Sequence, residues 1–389
     1  MRIISPLKRE AVMKGRWWMI LVVAAATYFV VMGCVIGTSE PPANRSSPQS
    51  LSSSENEAPV QPLGKLEGLP YRGVCMQVQR IDNVMDYGHS IDRAAETGID
   101  TILFVVDSKQ ENGKSTRIFL DMRAEPTPDK LGELIQYAHK RKLRVILMPI
   151  VLYEAPIGNE WRGTMHPDVW EDWWDSYREM VHHYSVVAER NNVELFVVGS
   201  ELVSTETQTE EWTRTIRQVR KEYHGQITYS ANWDHYTTVS FWDQLDVMGM
   251  NSYYDLGKDV PGSKAEKNQA TVAQIDKRWA KIQSSILDFG KKIEKPVVML
   301  EVGWCSMGNA VTEPWDYTQV TEPLDLDIQR RLYEAYFETW YGKPGFGGFL
   351  IWAWTPNVSG PDDRGYSPEG KPAEQVLRNW LAKGPWKVE

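Results

Sequence analysis

The chain has 389 residues, a formal net charge of -9 and only three cysteines. This length fits about two or three domains of average size, or one large barrel of about 250 residues or more. The acidic balance argues against a nucleic-acid partner. Because three cysteines cannot form a disulfide framework, a folded domain must be stabilised by a large hydrophobic core.

Residues 17–36 form an uncharged, apolar run that follows several basic residues ending at Arg16. Such a run is long enough to cross a bilayer with its basic end inside. We therefore interpret residues 1–36 as a signal peptide, a lipoprotein signal or a membrane anchor. This places the rest of the chain outside the cytoplasm, at the cell surface or in the periplasm, and gives it a membrane contact through its N-terminal segment.

Three fates of this segment stay open. The run Val31-Met32-Gly33-Cys34 resembles a bacterial lipoprotein cleavage box, although Met32 fits poorly, and a start at Met13 would give a compact lipoprotein-like signal. The alternatives are an uncleaved anchor and free secretion. In each case we expect the segment to lie outside the folded domain.

Residues 37–68 consist mainly of Ser, Pro, Asn, Glu and Gln. A segment with so few large apolar residues cannot bury enough surface to offset the entropy of ordering, so we predict a disordered linker. The remaining residues, 69–389, are predicted to form a single folded domain, which we expect to be a monomer.

Short apolar runs alternate with helical patterns after residue 71. The eight runs are 72–76, 101–106, 144–150, 195–199, 227–230, 247–250, 296–300 and 348–352. The predicted helices are 130–141, 167–191, 209–223, 271–289, 325–340 and 373–381. Strands that are apolar throughout are covered on both faces, as in a parallel sheet. The fold class is therefore α/β, and we predict a (β/α)8 TIM barrel. A doubly wound sheet is less favoured, because no Gly-rich phosphate loop follows the first strand.

Two glutamates, Glu201 and Glu301, stand at the ends of the fourth and seventh predicted strands. Reactive groups of a parallel barrel lie at the carboxyl ends of its strands, so both side chains are expected at one pocket mouth. A retaining glycosidase needs two carboxyl groups about 5 Å apart, one to donate a proton and one to attack the sugar. The alternative is that each is an ordinary charged residue at a strand end.

Amide and aromatic side chains occupy similar positions. Asn232, Trp233, Tyr253, Trp304 and Trp352 follow the fifth to eighth strands, and Trp161 lies in the loop after the third. We predict that they bind substrate, because amides and hydroxyls hold sugar hydroxyls and aromatic faces stack on sugar rings.

Several of these assignments keep alternatives. Trp352 forms the floor of a sugar pocket or fills the core. Tyr253 is preferred to Tyr254 as the partner of the nucleophile, since alternation lets only one face inward. Arg162 walls a cleft or forms a structural salt bridge. The aromatic residues of the helix at 167–191 are expected to form a buried face.

No metal or cofactor is predicted. The seven histidines form no His-Glu-x-x-His motif, and no Cys-x-x-Cys pair occurs. Cys75 and Cys305 are expected to be buried, reduced thiols, with a disulfide or a reactive thiol as alternatives.

The sequence resembles glycoside hydrolase family 113, a family of β-1,4-mannan hydrolases within the retaining (β/α)8 glycosidases. The resemblance spans about residues 70–383 and is carried by Trp161-Arg162-Gly163, Trp173, Tyr177, Glu189, the run 194–202, Leu300-Glu301-Val302-Gly303-Trp304 and Trp352-Ala353-Trp354. It implies Glu201 as general acid/base and Glu301 as nucleophile. Ser200 stands where Asn commonly precedes the acid/base, and Asn232 is the leading candidate to replace its contact with the sugar 2-hydroxyl.

The leading functional hypothesis is a retaining hydrolase of β-linked hexose polysaccharide or oligosaccharide, most of all an endo-β-1,4-mannanase. The first alternative is a β-glucanase or another β-glycosidase on the same fold. The second is a non-catalytic surface protein that binds carbohydrate. The presence of both glutamates argues against the second, because two carboxylates that repel each other cost free energy that a binding protein has no need to spend.

Overall fold

Eight parallel strands close on themselves into a barrel. The structure, a computed structural model, describes residues 68–319 and 321–388. The predicted N-terminal segment, residues 1–36, and the predicted linker as far as residue 67 lie outside the described residues. The strands are β1 Tyr71–Val78, β2 Thr101–Gln110, β3 Ile118–Phe119, β4 Arg144–Tyr153, β5 Leu195–Ser200, β6 Gln226–Ala231, β7 Met248–Asn251, β8 Val297–Val302 and β9 Phe346–Ile351.

The order of the strands around the barrel is β1-β9-β8-β7-β6-β5-β4-β2, and pairing between β1 and β2 closes it. The short strand β3 lies outside this ring and pairs antiparallel with the end of β2. Each of the eight predicted runs overlaps a barrel strand, so the (β/α)8 architecture is confirmed. Glu301, which was expected to follow its strand, is the fifth residue of β8.

Helices cover the outside of the barrel. They are α1 Val84–Ala95, α2 Pro128–Lys140, α3 Trp170–Arg190, α4 Thr209–Glu222, α5 Lys264–Asn268, α6 Val272–Lys292, α7 Leu326–Trp340 and α8 Pro372–Leu381. The six predicted helices are present, and α1 and α5 are additional. Within the described ranges, none of the helices combines the length and apolar character that crossing a bilayer requires.

The core has two layers, because alternate residues of each strand point to opposite sides. On β2, Leu103 and Val105 pack inside the barrel. Their neighbours Phe104 and Val106 pack outward against the helices. Both layers exclude water, which explains why the strands are apolar throughout. Cys75 lies in the inner layer, where its thiol donates to the carbonyl oxygen of Leu300 at 3.1 Å.

Many of the aromatic residues belong to the outer layer. Trp173, Trp174 and Tyr177 on α3 are almost fully buried, and Trp212 of α4 packs edge-on against Trp174 and Tyr177. This arrangement agrees with the expected buried face of the helix. Many tryptophans among the described residues are therefore part of the core.

Gly303 lies just beyond β8, where the chain passes close to β9. A Cβ atom at this position would overlap the backbone carbonyl of Trp352. We predict that Gly303→Ala lowers the free energy of unfolding by about 1–3 kcal/mol, the usual cost of overpacking. Gly360→Ala is the matched control, because a Cβ atom there meets open space. Equal unfolding midpoints in denaturant for the two variants would contradict the close approach of β8 and β9.

Candidate active site

A cavity of about 590 Å³ opens at the carboxyl ends of the barrel strands. Seven of the eight predicted site residues line it: Trp161, Glu201, Asn232, Trp233, Tyr253, Glu301 and Trp352. They come from loops and strands on separate sides of the barrel. The parallel arrangement brings them together, because all carboxyl ends of the strands meet at one face.

Glu201 follows β5 directly and is 8% exposed. Its backbone has φ +55°, in the left-handed region that residues other than glycine rarely adopt. Such a conformation costs on the order of 1–3 kcal/mol and persists where the surroundings hold it. Its carboxylate Oε2 accepts a hydrogen bond from Nη2 of Arg162 at 2.6 Å. Arg162 thus both lines the cavity and forms a salt bridge, the two alternatives considered from the sequence.

Glu301 is 6% exposed, and its Oε2 accepts a hydrogen bond from the hydroxyl of Tyr253 at 2.9 Å. Burial raises the pKa of Glu301 above its ordinary value of 4.5, and the negative charge of Glu201 raises it further. Arg162 and the Tyr253 hydroxyl lower the same pKa, because both favour the ionised carboxylate. The carboxylate of Glu201 is thus close enough to affect the proton of Glu301.

Tyr254 faces the other way. Its hydroxyl donates to the backbone carbonyl of Trp233 at 2.8 Å, and its ring packs edge-on against Trp279. Tyr253 is therefore the tyrosine that reaches Glu301, while its neighbour fixes the loop that carries Trp233.

Trp304 was predicted to bind substrate, and this prediction is wrong. Its side chain is fully buried and packs against Trp279, Tyr333 and Tyr336. Trp304 is three residues beyond Glu301. Side chains of an extended chain alternate in direction, so an odd spacing turns Trp304 away from the cavity and towards the helices. It supports the strand from behind and does not reach the cavity.

Asn232 and Trp233 form one wall of the cavity, immediately after β6. The Asn232 side-chain oxygen accepts a hydrogen bond from the Trp233 backbone N–H at 3.0 Å, which leaves its amide nitrogen directed elsewhere. The ring of Trp233 lies almost parallel to that of Trp315, with 6.3 Å between centroids. Trp161 is 37% exposed and faces the cavity from the loop after β4.

Sequence reasoning missed three aromatic residues of the site. Trp315, Tyr317 and Tyr366 line the cavity from the loops after β8 and β9. Trp315 and Tyr317 are 47% and 66% exposed, unusual values for large aromatic side chains. Their segment shows no periodic pattern, so the aromatic residues themselves were the only available signal.

A second cavity of about 600 Å³ continues from the first. The two share Arg162, Glu301, Tyr317, Trp352 and Tyr366. Beyond these residues the second cavity reaches Gln77 and the loop at Asp363 and Arg364. Glu201 lines only the first. Together the cavities form an open cleft that extends to both sides of Glu301.

No metal site accompanies this cleft in the described ranges 68–319 and 321–388, where no three His, Cys, Asp or Glu side chains are grouped to hold an ion. Cys75 and Cys305 are both buried and unbonded to one another. Burial is the main cause that raises the pKa of each thiol, which keeps both protonated.

The barrel and its paired glutamates define a glycoside hydrolase of the retaining (β/α)8 type. The chain belongs to Glycoside Hydrolase Family 113, whose family model matches residues 84–371. A structure of a GH113 β-mannanase from Alicyclobacillus acidocaldarius in complex with ManMIm is similar, with 26% identity and a TM-score of 0.72 over 82% of this chain and 98% of that chain. Family membership confirms the expectation of an enzyme over a non-catalytic binding protein.

Other comparisons agree with this assignment. A structure of a GH113 β-1,4-mannanase is 25% identical, with a TM-score of 0.72 over 82% of this chain and 100% of that chain. A β-glucuronidase from Faecalibacterium prausnitzii shares the fold alone, at 15% identity and a TM-score of 0.54 over 82% of this chain and 49% of that chain. No curated protein sequence matches the chain.

The raised pKa of Glu301 predicts that the free energy of unfolding depends on pH. A carboxyl group that holds its proton more tightly when folded makes the fold less stable as pH rises above the unfolded-state pKa, by at most about 1.4 kcal/mol per pH unit. The free energy of unfolding of the natural protein should therefore lose this contribution as pH rises from 4.5, and the Glu301→Gln variant should not.

Urea denaturation of both proteins from acidic to mildly alkaline pH measures this difference. Glu222→Gln, an exposed change of the same charge at the end of α4, is the control and should follow the natural protein. Parallel pH profiles for the natural protein and Glu301→Gln would show that the Glu301 pKa is not raised.

Proposed function

We propose that this protein is an endo-acting β-1,4-mannanase that works by double displacement, with Glu301 as nucleophile and Glu201 as general acid/base. The observation that carries the proposal is the pair of buried carboxyl groups in an open cleft of a family 113 barrel. The family 113 structures similar to this chain are described as β-mannanases, which supports mannan as the substrate.

In the first step, the Glu301 carboxylate attacks the anomeric carbon of the sugar in the cleft, and a glycosyl ester forms. The glycosidic oxygen leaves with a proton from Glu201. The hydrogen bond from Tyr253 to Glu301 supports this role, because it stabilises the ionised carboxylate and orients one of its oxygens.

In the second step, Glu201 acts as a base. It takes a proton from a water molecule and the water oxygen attacks the anomeric carbon. The bond from this carbon to the Glu301 oxygen breaks, which restores the charge of Glu301. Glu201 must therefore change its protonation state between the steps. Arg162 is in contact with the Glu201 carboxylate and supports its charged form in this half of the cycle.

Aromatic and amide side chains are proposed to hold the sugar residues. Trp352 lines both cavities next to Glu301, which suits the floor of the sugar site where bond cleavage takes place. Trp161 and Trp233 offer faces on the side of Glu201. Asn232 is proposed to contact the sugar 2-hydroxyl through its amide nitrogen, since only its side-chain oxygen binds the Trp233 backbone. Ser200 has no side-chain amide that could make this contact.

Cleavage within a chain requires room for sugars on both sides of the broken bond. The two cavities meet at Glu301 and together extend the cleft in both directions. We place the sugar that Glu301 attacks where the two cavities meet. Because the acid must stand on the side of the leaving group, we assign the rest of the cavity with Glu201 to the leaving part of the chain. The cavity that reaches Gln77 and Arg364 then receives the part that stays bound to Glu301.

We propose an extracytoplasmic location, with the protein held at a membrane by residues 1–36 as a lipoprotein or a membrane anchor. The apolar run at 17–36 supports this location. The linker at 37–68 would let the catalytic domain, residues 69–389, reach insoluble or wall-bound polysaccharide as a monomer.

Release of reducing sugar from β-mannan, glucomannan and β-glucan by the full-length protein tests the proposal. We expect release from mannan and its loss, by at least about a thousandfold, in Glu301→Gln, because that change removes the nucleophile. Glu222→Gln should retain full activity. Release from glucan without release from mannan would contradict the substrate, and activity of Glu301→Gln near the natural level would contradict the nucleophile.

A further inference from the structure

The backbone at Glu201 is held from both sides by two neighbouring residues of β6. The N–H of Glu201 donates to the carbonyl oxygen of Ser230 at 2.9 Å. The N–H of the next residue, Leu202, donates to the hydroxyl oxygen of Tyr229 at 2.8 Å. Glu201 lies between these two contacts in its left-handed conformation. A change in either contact would let the peptide rotate and would swing the carboxyl group out of line.

The contact with Leu202 depends on the direction of one proton. A tyrosine hydroxyl has a single proton to donate, and Tyr229 gives it to Oε1 of Glu206 at 3.0 Å. Its oxygen is therefore the acceptor for Leu202. The other oxygen of Glu206 lies 2.8 Å from the hydroxyl of Thr238, which is also 2.8 Å from the carbonyl oxygen of His235.

Glu206 and Tyr229 are fully buried and do not line the catalytic cavity. Burial of a carboxyl group is costly, and nothing in the double displacement uses this one. Two other buried tyrosines bind the backbone without such a partner: Tyr177 donates to the carbonyl of Val198, and Tyr223 donates to the carbonyl of Val193. The contact of Tyr229 has the opposite sense, because it accepts from an amide.

We propose that Glu206 and Tyr229 are positioning residues that aim the carboxyl group of Glu201 at the glycosidic oxygen by fixing the amide of Leu202. This inference rests on the proposed role of Glu201 as general acid/base. Neither residue touches the substrate. Their effect is confined to steps in which the direction of Glu201 matters, above all the transfer of its proton to the leaving oxygen.

The dependence of rate on the leaving group tests this role. The substrates are two aryl β-mannobiosides. The 2,4-dinitrophenyl substrate has a good leaving group, which departs without a proton, whereas the leaving group of the phenyl substrate needs a proton. Tyr229→Phe should lower kcat/KM for the phenyl substrate by about tenfold, a part of the 10²–10⁴ that general acid catalysis contributes. It should leave kcat/KM for the dinitrophenyl substrate nearly unchanged.

Tyr223→Phe is the matched control, because it removes a buried hydroxyl of the same kind far from Glu201 in the chain. It should affect both substrates equally. Glu206→Gln provides a second variant if Tyr229→Phe does not fold. The side-chain amide of Gln accepts hydrogen bonds only at its oxygen, so it cannot replace both carboxylate oxygens, and the variant should show the same selective loss. An equal loss for both substrates, or no loss for either, would overturn the positioning role.

The same assay separates this inference from the proposed function. Glu201→Ala should lose the phenyl substrate far more than the dinitrophenyl one, and azide should restore turnover of the dinitrophenyl substrate. If Glu201→Ala behaves in this way and Tyr229→Phe does not show the selective loss, only the positioning role is wrong. If Glu201→Ala shows neither behaviour, the general acid/base assignment is wrong and the positioning role falls with it.

Discussion

Two carboxyl groups buried at one barrel mouth are the constraint on which the rest of this site depends. Glu201 and Glu301 are 8% and 6% exposed, so water does little to stabilise their charges. The negative charge of Glu201 also opposes ionisation of Glu301. The fold must supply compensating groups in fixed positions, and it does so with a guanidinium and a phenol. Arg162 contacts one carboxylate and Tyr253 the other.

The barrel makes this arrangement possible because it is rigid and has a single reactive face. Two core layers hold the strands, one inside the barrel and one beneath the helices. Trp304 shows how the second layer contributes to the site, since it packs against α6 and α7 and so anchors the end of the strand that carries Glu301. The binding aromatic residues lie on loops, where exposure leaves their faces free for sugar.

The same division explains what the sequence could predict. Strands of a barrel are apolar on both faces, and this pattern revealed all eight of them. The glutamates could be found because a charge that ends or interrupts such a run stands out. Position in a closed parallel barrel then placed both at one face, and seven of the eight predicted site residues do line the cavity.

Other features of the structure could not be predicted, because they depend on contacts between residues that are distant in the sequence. Helix α1 carries a buried face at Tyr87, Ile91 and Ala94, but its polar composition hides this periodicity. Strand β3 has two residues, too few for any pattern. Trp304 and Trp352 both follow barrel strands closely, and only the path of the chain decides that one faces the helices and the other the cleft. Trp315 and Tyr317 reach the site through the fold of a long loop.

Chemical trapping of the glycosyl ester tests the central claim most directly. The full-length protein is incubated with 2-deoxy-2-fluoro-β-mannosyl fluoride. The fluorine at C2 slows hydrolysis of the ester, so the intermediate accumulates. Mass spectrometry of the intact protein should show addition of one sugar, and peptide sequencing should place it on Glu301. A sugar attached to any other residue, or an unlabelled enzyme that releases its first product with inverted configuration, would contradict the double displacement at Glu301.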